Sequence, residues 1–489
     1  MKFLYTLTTA LFVLSFYTAA SAQVFVNSIA NGNNDGTSWA DAYTELATAL
    51  DNYNEGDEIW VAAGTYLPQQ PSAWPGDPKN TFYLYQDVKL YGGFNGTETQ
   101  LSQRDPAAHQ TILSGDLNGD DVPGDFETNR EDNATNLMFL TEDITPLTVV
   151  DGFTIANGHA AGDTLVAYDR RGGGVWSLGS PVIEQCRFEE NYALTFGGGL
   201  YLREEAADQT IVANCVFDGN RCENSGGGII VATFGAPGIV HVTNCEFIEN
   251  TSGVNGGGLY NSASSSALNN CQFSGNESGN AGGGMHFANT SSAEREVTVT
   301  NCIFENNTSN HGGAFYHFSG GPGGDDFLFE NCQFIGNKAV TSPNPDFFFP
   351  DGGAMGFQYS INANPTNDSI VITDCIFDGN TADRVGGGIT YFNSRTTDNY
   401  FSINDCEFTD NLAANFGGGI YFVQFDNGIT PIGTQFNLVN SDFENNLSNN
   451  GGAVAFNGLE GEESTYRISN CNFNDNKSME TPEDTIPTG

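Results

Sequence analysis

From about residue 170 onward the apolar positions of this chain fall in short alternating runs, and the runs return. Ten segments carry Cys or Ser, a spacer, Phe, two spacers and Asn: Phe188/Asn191, Phe217/Asn220, Phe247/Asn250, Phe273/Asn276, Phe304/Asn307, Phe334/Asn337, Phe377/Asn380, Phe408/Asn411, Phe443/Asn446 and Phe473/Asn476. Most recur every 26 to 31 residues. Cys and Phe two apart share one strand face and are expected to point inward; Asn three further on suits a bend, where its amide can bond neighbouring backbone. Each of these segments is preceded or followed by Gly-Gly-Gly or Gly-Gly-Ala and an apolar residue (Val175, Leu200, Ile229, Leu259, Met285, Phe315, Met355, Ile389, Ile420, Val454), a second inward strand position. Glycine lets the backbone corner tightly while neighbouring coils pack above and below. Two strands and a return per coil, stacked at about 4.8 Å, predict an all-β fold, a parallel β-helix (solenoid).

Before the regular repeats the pattern is looser. GDEIWVAAGTY, TFYLYQDVKLYGGF, TILSGD, NLMFLT and TVVDGFTIANG read as strands of early coils. In SWADAYTELATALDNY, Ser38 and Asp41 have capping-box spacing, and Trp39, Tyr43, Leu46, Leu50 and Tyr53 recur at helical spacing, predicting an amphipathic helix that closes the amino-terminal end. Residues 1–22 (Lys2, an apolar run, then Ala20-Ser21-Ala22) read as an export signal. The expected organisation is 1–22 signal peptide, 23–165 cap and irregular first coils, 166–476 regular β-helix repeats, and 477–489 a polar, linker-like tail. Nothing after the signal approaches a membrane helix in length.

Charge narrows the partners. Sixty acidic against 16 basic residues, net charge -44 over 489 residues, excludes nucleic acid and anionic membrane, and anionic partners need a bridging cation. Ten cysteines in an exported chain bring disulfides to mind, but nine of them (Cys186, Cys215, Cys245, Cys271, Cys302, Cys332, Cys375, Cys406, Cys471) hold one repeat position that Ser441 also fills. Such a position reads as a small interior site, with Cys222 outside the series. Stacked in register, these cysteines are expected to stay reduced, because parallel Cβ vectors about 4.8 Å apart exceed disulfide geometry.

DGTSWADAYTELATAL, GDEIWVAAGTY, LYGGFNGTETQLSQRDP, TILSGDLNGDD and the NCxFxxN…GGGLYN repeats resemble secreted bacterial right-handed parallel β-helix proteins of the pectin-lyase-like superfamily. The FxxN and GGA/GGG pair also resembles the repeats of chlamydial polymorphic outer-membrane proteins. The resemblance implies a right-handed β-helix, secretion or surface display, and a function among lyases, hydrolases, adhesins and stalks.

Candidate chemistry is sparse. Arg170, Arg171, Arg187, Arg203, Arg384 and Arg395 are scattered and match no lyase motif, and His159 in NGHAAGD is the nearest approach to a hydrolase segment. The six histidines show no metal-ligand spacing that singles out a zinc site. In DLNGDDVPGDFE, Asp116, Asn118, Asp120 and Glu127 have the spacing of calcium ligands, although Asp121 stands where a loop glycine belongs; the segment is either a calcium site or an acidic turn. The position after each inward apolar residue gives Trp176, Tyr201, Tyr260, His286, Tyr316 and Tyr421, an expected outward stripe that either stacks on sugar rings or reflects strand propensity. Phe347 to Phe349, between prolines on an insertion, are a further candidate contact. The reading is a non-enzymatic, secreted or cell-surface β-helix that binds a polysaccharide or surface glycan, or mediates adhesion, through its exterior, with calcium as the candidate cofactor. The alternatives are a polysaccharide lyase or glycoside hydrolase, and a structural stalk.

Overall fold

The computed structural model describes residues 22–68, 80–162, 170–204, 209–233, 238–262, 264–340, 351–359, 367–393, 398–424, 433–458 and 463–479. Arg395, Phe347 to Phe349, nearly all of the signal segment and most of the tail lie outside them.

Each coil is built from four strands rather than two. One coil runs Leu259–Ser262, Ser265–Asn269, Gln272–Ser274 and Glu277–Ser278, and the next begins at Met285–Asn289. Stacking joins equivalent strands into four parallel sheets of 14, 11, 12 and 13 strands. With the repeat pattern, this is a right-handed parallel β-helix. The strand the sequence pattern missed is the one before each Cys, although its inward positions alternate, as Val240 and Val242 do in Ile239–Thr243; the two-residue strand after each Asn is too short to leave a pattern.

Three corners per coil explain the composition. The first glycine of each triplet is left-handed, as at Gly256 (φ 62°), and so are the residue before each ladder Cys or Ser, as at Asn244 (φ 53°), and the residue before each ladder Asn, as at Glu249 (φ 51°). Asn and Asp tolerate this region best after glycine, hence the recurring Asn-Cys and Gly-Asn pairs.

Between the corners the interior is laddered. Phenylalanine rings stack face to face from Phe188 to Phe473, for example Phe247 on Phe273 at 4.4 Å and 1°. The ladder asparagines are fully buried from Asn191 to Asn446. Asn250 is representative: its backbone N–H and its Nδ2 both donate to Oδ1 of Asn276 (3.0 and 2.9 Å), and Nδ2 also donates to the Phe217 carbonyl (2.8 Å). The cysteines are free thiols, buried except for half-buried Cys471, and each ladder thiol bonds the carbonyl two residues back, as Cys215 Sγ does to Ala213 (3.2 Å). Burial pushes the Cys222 thiol up to about 12.

At the amino-terminal end the expected helix shrinks to Leu46–Leu50, which buries Leu46, Ala49 and Leu50 in the core. Ser38 and Asp41 do hydrogen-bond (3.1 Å), but they close a turn before Tyr43, and Glu45 at the helix start makes no side-chain cap. What lies along the edge of the first strand, Gln23–Val26, is a segment of bends and turns that touches it at one bridge, Val26 to Tyr43. Phe25 N–H donates to Gly36 and Tyr43 N–H to Phe25 (both 2.9 Å), while Trp39 packs edge-on to Phe25 at 4.8 Å. The helical spacing of aromatics arose from two segments that each bury one side against the tube, not from one helix.

Candidate functional site

The stripe residues do alternate away from the lumen, but they are not exposed. Trp176, Tyr201, His286, Tyr316 and Tyr421 retain 3, 1, 4, 3 and 7 % of their surface, and Tyr260 is half-buried. The residue five positions earlier, at the glycine corner, accompanies the strand on its outer side. Phe416 stacks on Tyr421 (5.5 Å, 19°), His311 lies against Tyr316 (6.0 Å), and Arg171 lies over the rings of Phe196 and Tyr201 (5.3 and 5.5 Å). These corner residues are themselves bridged in register from Arg171 through Phe196, Ser225, Asn255 and Ala281 to His311. Trp176, Tyr201, Ile230, Ala232 and Phe139 thus form a second apolar cluster outside the tube, with Tyr83, Leu178, Phe196 and Tyr260 at its margin. At the one rung with glycine, Gly356, a Cβ would lie 2.8 Å from the Tyr316 ring, so that rung leaves space for its neighbour. Burial lowers His286 to about 3 and raises Tyr260 and Tyr316. Strand alternation gave the face correctly; the cover comes from a corner that sequence alternation cannot see.

The acidic loop is rearranged relative to the expected ligand set. Asp116, Asp120 and Asp121 bring carboxylate oxygens within 4.8 Å of one another, while Glu127 is not in the group. Asp116 accepts the N–H groups of Gly119 (2.7 Å), Asp120 and Asp121 (both 3.2 Å), which curls the chain tightly and turns the residue in the glycine position inward. Asp121 is then held by Arg130 (2.6 Å) and Asn133 (2.8 Å), and its carboxyl is raised chiefly by burial. Glu127 points elsewhere. With Arg130, Glu131, Asn133, Thr135 and His159 it lines an open cavity of about 290 Å³. The His159 ring stacks on Tyr192 (4.6 Å, 18°), and burial, then the Arg130 charge, lowers it to about 4, so it is a neutral base at pH 7. Arg130 and Glu131 were missed because they matched no motif; a single arginine inside an otherwise acidic loop was the available signal.

Arg170, Arg187 and Arg384 among the scattered arginines have structural partners. Arg384 grips both oxygens of buried Asp351 (2.6 to 3.1 Å), Arg187 pairs with Asp218 and Glu189, and Arg170 donates to the Gly162 carbonyl (3.2 Å). No helix among the described residues is long and apolar enough to cross a membrane.

Comparison with family models gives the same architecture over part of the chain. Residues 175–345 match the right-handed beta helix region, and residues 405–423 match the Chlamydia polymorphic membrane protein repeat. No curated protein matches. Among solved structures, pectate lyase Pel9A aligns at 14% identity over 92% of this chain and 80% of its own, with a TM-score of 0.29. The catalytic domain of a GH87 alpha-1,3-glucanase in complex with tetrasaccharides aligns at 10% identity over 87% of this chain and 67% of its own, with a TM-score of 0.36.

Proposed function

We propose that this is an exported or surface-displayed β-helical shaft whose role is non-catalytic, with contact to carbohydrate or a neighbouring surface made by its polar, acidic outer walls rather than by the aromatic stripe. The burial of the stripe carries this reading. Rings that reinforce the wall of a rod are not free to stack on sugars, so among the sequence alternatives the stalk gains over the glycan ladder. Export rests on the signal-like first 22 residues. The test is retention on a panel of neutral and acidic polysaccharides, with and without Tyr260→Ala, while monitoring release of unsaturated products. The expected result is no product and no change in retention on mutation. Retention of a neutral glycan that Tyr260→Ala abolishes, in a protein that stays folded, restores the stripe as a binding site.

A second reading, lyase or hydrolase, is favoured by one observation: the cavity that unites neutral His159 with Glu127 and Glu131. A neutral imidazole beside carboxylates has the parts for proton transfer. Product release in the same panel that disappears in His159→Ala establishes it.

Calcium is proposed at the revised set Asp116, Asp120 and Asp121. Asp116→Ala is a poor test, because it removes three loop hydrogen bonds along with a ligand. Asp120→Asn alters a carboxylate more exposed than either neighbour. Calcium at about a hundred times its Kd should stabilise the wild type by about 2.7 kcal/mol. The expectation is that Asp120→Asn loses that rise in Tm while its Tm in EDTA is unchanged; a rise that survives assigns the effect to the diffuse acidic surface.

A further inference from the structure

A second polar ladder runs inside the tube, at the corner where the 12-stranded sheet hands over to the 14-stranded one. Its rungs are Arg295, Asp325, Asp368 and Asn399. Arg295 is in register with Asp325, Asp325 N–H donates to Asp368 Oδ1 (2.8 Å), and Asp368 N–H donates to Asn399 Oδ1 (3.2 Å). This is the geometry of the asparagine ladder, in which a side-chain oxygen of one coil accepts the backbone N–H of the coil before. Here two successive rungs are aspartates, 0 and 1 % exposed.

Two carboxylates one coil apart in a dry interior repel, and what faces them does not treat them equally. Asp325 accepts from Asn289 Nδ2 (2.7 Å), has His317 Nε2 at 3.1 Å, and has the buried Arg295 on its other side. Asp368 meets the Asp325 carboxyl, the outer carboxylate of Asp326, and the hydroxyl of Tyr359 in its own coil. From the following coil it meets the Asn399 amide, which is itself anchored on Tyr391 (3.0 Å). Arg295 and His317 both stand on the Asp325 side. One of the two aspartates has cationic and donor groups around it, and the other has a backbone N–H, a phenol and two negative neighbours.

We propose that Asp325 and Asp368 occupy this corner as one carboxylate and one carboxylic acid, with the proton on Asp368, and that the pair makes the tube a pH-sensitive element, closed at neutral and acid pH and loosened at this corner when alkali removes the proton. The direction of titration agrees: burial first, then the Asp325 charge, raises Asp368 to about 8. Its value in the unfolded chain is about 3.9. Between those limits the folded state holds a proton that the unfolded state does not, so this group's contribution is full below about pH 4, falls as pH rises, and is lost above about pH 8.

The test compares wild type, Asp368→Asn and Asp325→Asn in the full chain. Asp368→Asn repeats the residue found at the next rung and keeps its acceptor and donor, so it should fold. Between about pH 5 and about pH 9 the wild type should lose on the order of 5 °C of Tm more than Asp368→Asn does. Other buried carboxyls, such as Asp151 and Asp351, are also raised, and they act equally in both proteins. In Asp325→Asn the remaining acid should titrate at lower pH. Independently of any variant, the infrared C=O stretch of a protonated carboxyl should be present in the wild type at pH 7, vanish above pH 9 and be missing from Asp368→Asn. Equal pH profiles for wild type and Asp368→Asn, or no protonated-carboxyl band at pH 7, overturn the proposal.

Discussion

Replacing one central ladder asparagine, Asn276→Ala, should cost about 3 to 6 kcal/mol, a large share of the stability of any domain. Asn276 is fully buried, and its side chain makes four hydrogen bonds. Oδ1 accepts from Asn250 N–H (3.0 Å) and Asn250 Nδ2 (2.9 Å), and Nδ2 donates to the Phe247 carbonyl (2.8 Å) and to Asn307 Oδ1 (2.9 Å). Alanine strands the Asn250 backbone N–H and one N–H of the Asn250 amide, whose other N–H stays on the Phe217 carbonyl, and takes a donor from the Phe247 carbonyl, at about 1 to 3 kcal/mol each before relaxation. Asn276→Asp is no rescue at neutral pH. It keeps the acceptor for Asn250 but sets a carboxylate against the Phe247 carbonyl and Asn307 Oδ1, so it should be as damaging as alanine and should recover when the acid is protonated. Because a solenoid is a row of neighbour interactions, the break should be local. Hydrogen exchange should rise first at the amides of Asn250 and Asn276, and urea unfolding should cease to be a single transition. A loss below 1 kcal/mol would sink the claim that the ladder holds the coils together.

That ladder was legible because ten copies superimpose, and a position that is Asn in every copy and three residues beyond an inward Phe has few structural explanations. The same redundancy disclosed the core positions and the reduced cysteines. Features that arise once, or that depend on what lies over a strand, were not legible. Tyr201 alternates outward as expected, yet it is covered by the corner, because sequence alternation records which side of a sheet a residue takes and not whether another segment occupies that side. The acidic loop failed differently. Ligand spacing assumes one chain path, and the three N–H groups caught by Asp116 impose another, which removes Glu127 and draws in Asp121. The His159 cavity joins residues 127–135 to 159–162 across a coil boundary, and no local motif spans that distance. Asp368 was invisible for a similar reason. In sequence it is one acid among sixty, and only register with Asp325 makes it unusual.

The glycine triplets separate into positions of different tolerance, and the second large effect is expected at the middle one. In all ten repeats that position is glycine (Gly257 in the coil from Leu259), whereas the third is alanine three times, at Ala314, Ala354 and Ala453. A Cβ on Gly257 would lie 2.5 Å from the backbone oxygens of both Glu277 and Gly283, which belong to the next coil and are fixed by its ladders. A Cβ on Gly258 would meet the Gly284 oxygen at 2.7 Å and the Phe273 ring at 2.9 Å, close contacts that the alanine-bearing coils accommodate. Gly257→Ala should therefore cost about 3 kcal/mol or more and Gly258→Ala about 1 kcal/mol, read from denaturation midpoints at unchanged slope. The corner also carries Asn255, the residue five before Tyr260, so wedging two coils apart at Gly257 should uncover the stripe. Nitration of Tyr260, slow in the wild type, should accelerate in Gly257→Ala and not in Gly258→Ala. If the two variants lose equal stability, the triplet serves only local chain flexibility and not the close approach of successive coils; if Tyr260 stays unreactive in Gly257→Ala, the corner is not what covers the stripe.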